Sequence, residues 1–259
     1  MAKTVAIANQ KGGVGKTTTS VNLAACVAEM GKKVLLIDID PQGNATSGVG
    51  VDKNELKASI YDVLINGVST DEVICATAVE GLDIIPANIE LAGAEIELVS
   101  TMAREQVLKR AMRKTEKEYD YIFIDCPPSL GLLTLNALNL ADTLMVPIQC
   151  EYYALEGLSQ LMNTVKLVRQ HLNPDLEVEG VVLTMFDART NLSAQVVNEV
   201  KKFFKNTVYK TIIPRSVRLS EAPSFGLPIT VYDNKCTGAM AYTALAQELL
   251  EKEEKADGD

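Results

Sequence analysis

Long apolar runs are missing from this chain. None approaches the roughly 18–20 residues that a membrane-crossing helix needs, so no such helix is expected among its 259 residues. The N-terminal MAKTVAIANQ runs straight into a strand-like stretch. It has neither the length nor the cleavage site of a secretory leader, and a cytoplasmic protein is the expectation. Paired cysteines are missing too. Cys26, Cys75, Cys126, Cys150 and Cys236 are scattered, with no C-x-x-C spacing. That argues against a disulfide framework or a metal cluster and for reduced, packed thiols. The only histidine, His171, lies in a helical stretch and is expected at the surface without chemistry. Internal repeats and Pro/Gly/Ser-rich linkers are absent. One domain over 1–259 is therefore expected, with EKEEKADGD (251–259) as a frayed acidic tail.

Net positive charge is also lacking. The formal charge is −9, which excludes a generic polycation. Yet residues 189–235 hold eight bases and three acids, a local +5 on a body of −14. Such a segment reads either as a polyanion site or as a solvated helix face.

What is present is a pattern of apolar strand-like runs separated by amphipathic stretches. Strands are expected at 3–9, 33–39, 82–86, 120–125, 143–148, 178–185 and 207–213. Helices are expected at 17–30, 89–99, 101–117, 154–172 and 190–205. Runs such as VLLID and YIFID are continuously apolar, as in strands buried on both faces. The alternation predicts an α/β fold, a mostly parallel β-sheet flanked by helices on both faces. Ligands then bind at the carboxyl ends of the strands.

The first strand ends at KGGVGKTT (11–18). Gly15-Lys16-Thr17 is the closing part of a phosphate-binding loop, G-x-x-x-x-G-K-[ST]. Gln10 stands where that pattern has its first glycine, and Lys11 adds a second lysine at the loop's mouth. Gly12, Gly13, Val14, Gly15, Lys16, Thr17 and Thr18 should wrap a triphosphate with backbone N–H groups. Lys16 should reach the β- and γ-phosphates, and Thr17 should ligate Mg²⁺. In the helix that follows, Val21, Ala24, Ala25 and Ala28 form a core-facing stripe, and Gly31 is placed to stop it.

Two further strands end in acids. VLLIDIDPQGNAT ends in Asp38 and Asp40, and YIFIDCPPSLG in Asp125. Each acid alone could be a turn or cap residue. Beside a phosphate loop, Asp125 is expected to orient the Mg²⁺ shell and Asp40 to position the attacking water. No arginine near the loop looks like a finger, so slow ATP turnover is expected.

Together, KGGVGKTT with its early lysine, DIDPQGNAT and FIDCPPSLGLLTLNAL resemble the ParA/MinD superfamily of deviant Walker A ATPases. The chromosomal ParA branch is the nearest, and the likeness continues through 146–161, 182–193 and 213–229. The resemblance implies a P-loop NTPase of the deviant Walker A type that uses ATP and Mg²⁺. It implies a homodimer with ATP sandwiched between subunits and Lys11 crossing to the partner's phosphates. It also implies non-specific double-stranded DNA binding, a ParB-type partner that stimulates hydrolysis, and a nucleoid-associated location. On that pattern Arg189 and Arg218 contact DNA, with Lys201, Lys202 and Lys205 in support. Met185 and Ile213-Pro214-Arg215 would lie at the adenine. A MinD-type membrane ATPase would need a basic amphipathic C-terminal helix, and the end here is acidic. An iron–sulfur carrier would need paired cysteines.

Overall fold

The computed structural model describes residues 2–151 and 158–256. β1 (Lys3–Ile7) feeds the glycine-rich loop and α1 (Lys16–Glu29). β2 (Val34–Asp38) leads to α2 (Asn44–Gly48). α3 (Thr70–Val73) and β3 (Cys75–Ala76) precede β4 (Leu82–Ile85). α4 (Leu91–Glu97) and α5 (Val107–Met112) precede β5 (Tyr121–Asp125), and α6 (Leu132–Leu140) precedes β6 (Thr143–Gln149). α7 (Leu158–His171) leads to β7 (Glu177–Phe186), and α8 (Asn191–Phe204) to β8 (Val208–Pro214). α9 (Val217–Glu221), α10 (Ile229–Tyr232) and α11 (Thr237–Ala256) complete the order.

The strands form one sheet in the order β3-β4-β2-β5-β1-β6-β7-β8. Every pairing is parallel except β3 with β4. Side chains alternate across a strand, and here both faces are covered. Val5, Ile7 and Phe123 join α1 and α11 in one apolar cluster, with Leu23, Val27, Tyr242 and Leu245. Ala6, Ile122 and Ile124 face the other side, with Leu133, Leu161, Val165 and Val200. This is the α/β sheet with helices on both faces that the alternation of runs predicts.

α1 is buried more completely than its predicted stripe. Thr19, Ser20 and Asn22 are buried as well as Val21, Ala24, Ala25 and Ala28. The cause is α11, which covers the second side of α1. Its Tyr242 hydroxyl lies 3.1 Å from Thr19 Oγ1. Gly31 ends the helix with φ 84°, donating its N–H to Ala28 O.

Two expectations change. The helix expected over 101–117 is broken, and only Val107–Met112 is α-helical. Ala103 sits at φ 51°, and α6 takes over the local backbone groups. Asn136 donates to Arg104 O and accepts from Leu108 N, while Asn139 donates to Glu105 O. The stretch expected as a frayed tail from 251 begins inside α11, which continues to Ala256. There Lys252 Nζ lies 4.1 Å from the Tyr209 ring centroid, and Glu253 accepts from the Tyr121 hydroxyl. Residues 257–259 lie outside the described residues. So do 152–157, which hold the expected start of the 154–172 helix and part of the 146–161 motif.

Candidate nucleotide-binding site

Parallel strands bring their carboxyl ends to one edge. Ile7 is in register with Asp125, and Asp38 with Asp125. The loop after β1 therefore opens beside both acids. Gly13 and Gly15 have φ of 72° and 87°, the left-handed region that side chains disfavour. An added Cβ at Gly12 or Gly13 would meet no atom within 4 Å. The loop is thus an open cradle rather than a packed turn. Val14 contributes only backbone to it, because its side chain is buried. Asn9 holds the entrance by accepting from Lys11 N at 3.0 Å and donating to Pro147 O at 2.7 Å.

Lys16 is 6% exposed. Its Nζ donates to Lys11 O at 3.1 Å. Burial pushes its pKa down, while Asp125, Cys126 and Asp40 pull it back up. A buried ammonium with donors to spare is a site for an anion. Lys11 is half-buried at the mouth.

Asp125 is fully buried, and its Oδ1 accepts from Ser20 Oγ at 2.8 Å. Its Oδ2 has no hydrogen-bond partner among the described residues. Burial raises its pKa and the Asp38 carboxylate raises it further, with the Thr17 and Ser20 hydroxyls opposing. An orphaned, buried oxygen on a carboxylate that the Thr17 hydroxyl also influences fits a divalent cation.

The two acids after β2 separate in role. Asp38 is a structural cap: its Oδ2 accepts from Thr46 N and Thr46 Oγ1, both at 2.8 Å. Its Oδ1 accepts from Asp40 N at 3.1 Å. Asp40 is 7% exposed, and one of its oxygens accepts from Gln42 N. Pro41 follows the strand end, and Asp40 lies close enough to influence Lys16.

A cavity of about 210 Å³ adjoins the loop. Gly15 and Thr18 line it together with Met185, Pro214 and Arg215. The structure therefore brings the residues expected at the adenine to the phosphate loop. Sequence reasoning missed Thr184, Ser216, Leu219 and Tyr242 on the same wall. Thr184, Ser216 and Leu219 fall within the 182–193 and 213–229 likeness without being singled out there, and Tyr242 lies outside it; all four are some 170 or more residues from the loop, so only the fold assembles them. Met185 has φ 52°, a strained value for a side-chain-bearing residue. It also borders a second cavity, of about 550 Å³, with Asp187, Arg189, Thr190 and Arg215.

The family model described as an AAA domain matches residues 2–178. The chain is 64% identical to the sporulation initiation inhibitor protein Soj of Bacillus subtilis, covering 96% of this chain and 98% of that protein. It is 53% identical to the chromosome partitioning protein ParA of Myxococcus xanthus, covering 98% and 89%.

The chain belongs to the ParA/MinD superfamily of deviant Walker A ATPases.

The fold of this superfamily member is close to a solved one. A cobyrinic acid a,c-diamide synthase from Mycobacterium smegmatis, with bound ADP and magnesium, superimposes with a TM-score of 0.88 and 40% identity. The match covers 99% of this chain and 97% of that one. Among the described residues no helix is long and apolar enough to cross a membrane, and no cluster of metal-ligating side chains is present. Cys126 is fully buried, and burial pushes its thiol pKa up. It packs like a core residue.

The basic residues that the ParA pattern places on DNA fall into two groups. Arg189 follows β7 and Arg218 lies in α9, both at the nucleotide edge. Lys201, Lys202 and Lys205 lie at the far end of α8. At about 1.5 Å per residue, Lys202 is roughly 16 Å along the helix from its start. Carboxylates hold several of these charges. Arg189 grips Asp187 with two hydrogen bonds, at 2.9 and 2.7 Å. Arg218 pairs with Glu221 and Asp233, Lys202 with Glu199, and Arg215 with Glu151.

Proposed function

We propose that this chain is a chromosome-partitioning ATPase that closes into an ATP-bound sandwich dimer, binds DNA without sequence preference, and lets go on hydrolysis stimulated by a ParB-type partner. The observation that carries the reading is the loop with two lysines of different burial. Lys16 is enclosed beside Asp125, while Lys11 stands at the open mouth. One lysine suffices to hold the phosphates of a bound nucleotide. The second is placed to serve a nucleotide held by another copy. The similarity to Soj and ParA supports the cellular role.

The residues divide the work as follows. The N–H groups of 12–18 and the Lys16 ammonium take the triphosphate charge. Thr17 and Asp125 would hold Mg²⁺, which would supply positive charge against the triphosphate, and Ser20 keeps the Asp125 carboxylate oriented. Asp40 positions the attacking water. Met185, Pro214 and Arg215 enclose the base. Arg189 and Arg218 grip DNA phosphates by charge, so binding should weaken steeply with salt. Turnover without the partner is slow, because the loop is served by lysines and its neighbouring sequence offers no arginine finger.

The diamide synthase fold neighbour names another chemistry. It is 40% identical, against 64% and 53% for the partitioning proteins, so identity favours partitioning. The test is light scattering of the full chain with ATP, ADP or no nucleotide, each with and without plasmid DNA. A dimer formed only with ATP, and DNA bound only by that dimer, is expected. A chain that stays monomeric with ATP at every concentration would overturn the reading.

A further inference from the structure

The loop is anchored from a strand on the other half of the sheet. Thr184, on β7, is 2% exposed, and its Oγ1 donates to Val14 O at 2.8 Å. Thr184 is itself fixed, because its carbonyl accepts from Cys150 N at 3.0 Å at the end of β6. A hydrogen bond across 170 residues, buried on both sides, is not incidental. A buried carbonyl needs a donor, and the loop offers Val14 O none of its own kind here.

The consequence follows from peptide geometry. A trans peptide is planar, so the Val14 carbonyl and the Gly15 N–H point in opposite directions. Holding the carbonyl towards β7 turns the Gly15 N–H away from β7, towards the inside of the loop. Gly15 also stands at φ 87°, and its own carbonyl accepts from Thr19 N at 2.9 Å, so the peptide left to be fixed is the one before it. Glycine permits the required conformation but does not select it. The Thr184 hydroxyl supplies the selection. A Cβ at Gly15 would meet the Thr184 methyl at 3.7 Å, an ordinary contact, so the backbone angle and not crowding reserves the position for glycine.

We infer that Thr184 is a positioning residue for phosphate binding, one that fixes the Val14–Gly15 peptide with its N–H aimed at the triphosphate. The inference rests on the reading of 11–18 as a phosphate loop. It adds to that reading a determinant from β7, outside the loop and outside the two acidic strand ends. It also joins the loop to the strand whose next residue, Met185, borders the base cavity.

The test uses Thr184→Val, which keeps the shape and removes the hydroxyl, and Thr184→Ser, which keeps the hydroxyl. Fluorescence titrations would measure ATP, ADP and adenosine binding to the full chain, with melting temperature recorded without nucleotide. Thr184→Val should weaken ATP and ADP about tenfold and leave adenosine within about twofold, and Thr184→Ser should recover ATP to within about threefold. A general loss of packing would move adenosine as well, so the phosphate-specific loss separates positioning from structure. If Thr184→Val does not fold, Thr184→Ala makes the same removal with less bulk. Wild-type ATP affinity in the Val or Ala variant overturns the inference. So does a Ser variant as weak as Val. A wild-type chain whose ATP binding is indifferent to Lys16→Ala would instead sink the phosphate-loop reading itself.

Discussion

Asp125→Asn should stabilise the nucleotide-free protein and abolish its response to Mg²⁺. Asp125 and Asp38 are register partners on adjacent strands, so their side chains leave the same face of the sheet. Parallel neighbours lie about 4.8 Å apart. Two unit charges at about 5 Å in an effective dielectric of about 20 repel by about 3 kcal/mol. Burial pushes the Asp38 pKa up to about 6 against three opposing hydrogen bonds, from Thr46 and from Asp40 N, so at neutral pH it is mostly charged. Asp125 has one such bond, from Ser20, and an oxygen without a partner among the described residues. Asparagine keeps the acceptor for Ser20 and removes the charge. Allowing for partial protonation of the wild-type carboxyl, the gain at neutral pH is about 2 kcal/mol, or about 5 °C in a chain of this size.

The sign of the pH dependence follows from the raised Asp125 pKa. Above an unfolded value of about 4, the folded state holds the proton more tightly than the unfolded one. Wild-type stability is then lost as pH rises towards the folded value. The Asn variant lacks that titration. The difference between the two should be small near pH 4 and should widen from there to pH 8. Melting curves in EDTA at both pH values would show this. With Mg²⁺ and ATP added at 100 times the dissociation constant, the wild type should gain about 2.7 kcal/mol. The variant should lose the Mg²⁺-dependent part of that gain. A variant that melts below wild type in EDTA at pH 8 would refute the reasoning, because Asp125 would then be contributing to stability rather than opposing it.

Lys11→Ala should bind ATP within about threefold of wild type yet form no ATP-dependent dimer. Dimers persisting in light scattering would sink the sandwich arrangement. Arg189→Glu should lose DNA in a low-salt gel shift while still dimerising, whereas Lys202→Glu, at the far end of α8, should keep at least half of the binding. Equal losses would merge the two basic groups into one surface. Asp187→Asn frees the Arg189 fork and should raise DNA affinity severalfold, with Asp175→Asn as the charge-matched control at the opposite edge of the sheet. An equal rise in the control would reduce the effect to net charge.

The strands were legible because a strand buried on both faces is written as an unbroken apolar run. Each expected strand is present within about two residues at either end. The phosphate loop was legible because its chemistry is local, with strand, glycines, lysine and helix contiguous. What escaped was made by distant partners. Asn136 and Asn139 undo a helix that periodicity alone would continue. Tyr242, Thr184 and Ser216 reach the nucleotide edge from distant parts of the chain where no local chemistry singles them out. Met185, Pro214 and Arg215, expected at the adenine, came from family resemblance, and the fold gathers them around one cavity with the loop. Asp38 and Asp40 read alike in sequence, two residues apart after the same strand. They part only because Thr46 in α2 turns back to bind Asp38, which ties that carboxylate into the backbone and leaves Asp40 beside Lys16.

The basic segment shows how far a charge count carries. A surplus of five charges over 189–235 suggests a surface waiting for a polyanion. In the fold, Arg189, Lys202, Arg215 and Arg218 already hold carboxylates, two of which, on Asp187 and Glu151, lie outside the counted window. DNA would therefore bind by exchange, each phosphate displacing a carboxylate rather than meeting a bare cation. The Arg189 side chain is 86% exposed, and ion pairs in that setting contribute little, so exchange is easy in both directions. A single subunit would gain little net attraction from it. In the proposed dimer, two subunits joined through nucleotide would double the number of exchanged contacts on one duplex and convert the second set into an intramolecular event. Tight binding would then belong to the dimer, and separating the subunits would return each arginine to its own acid.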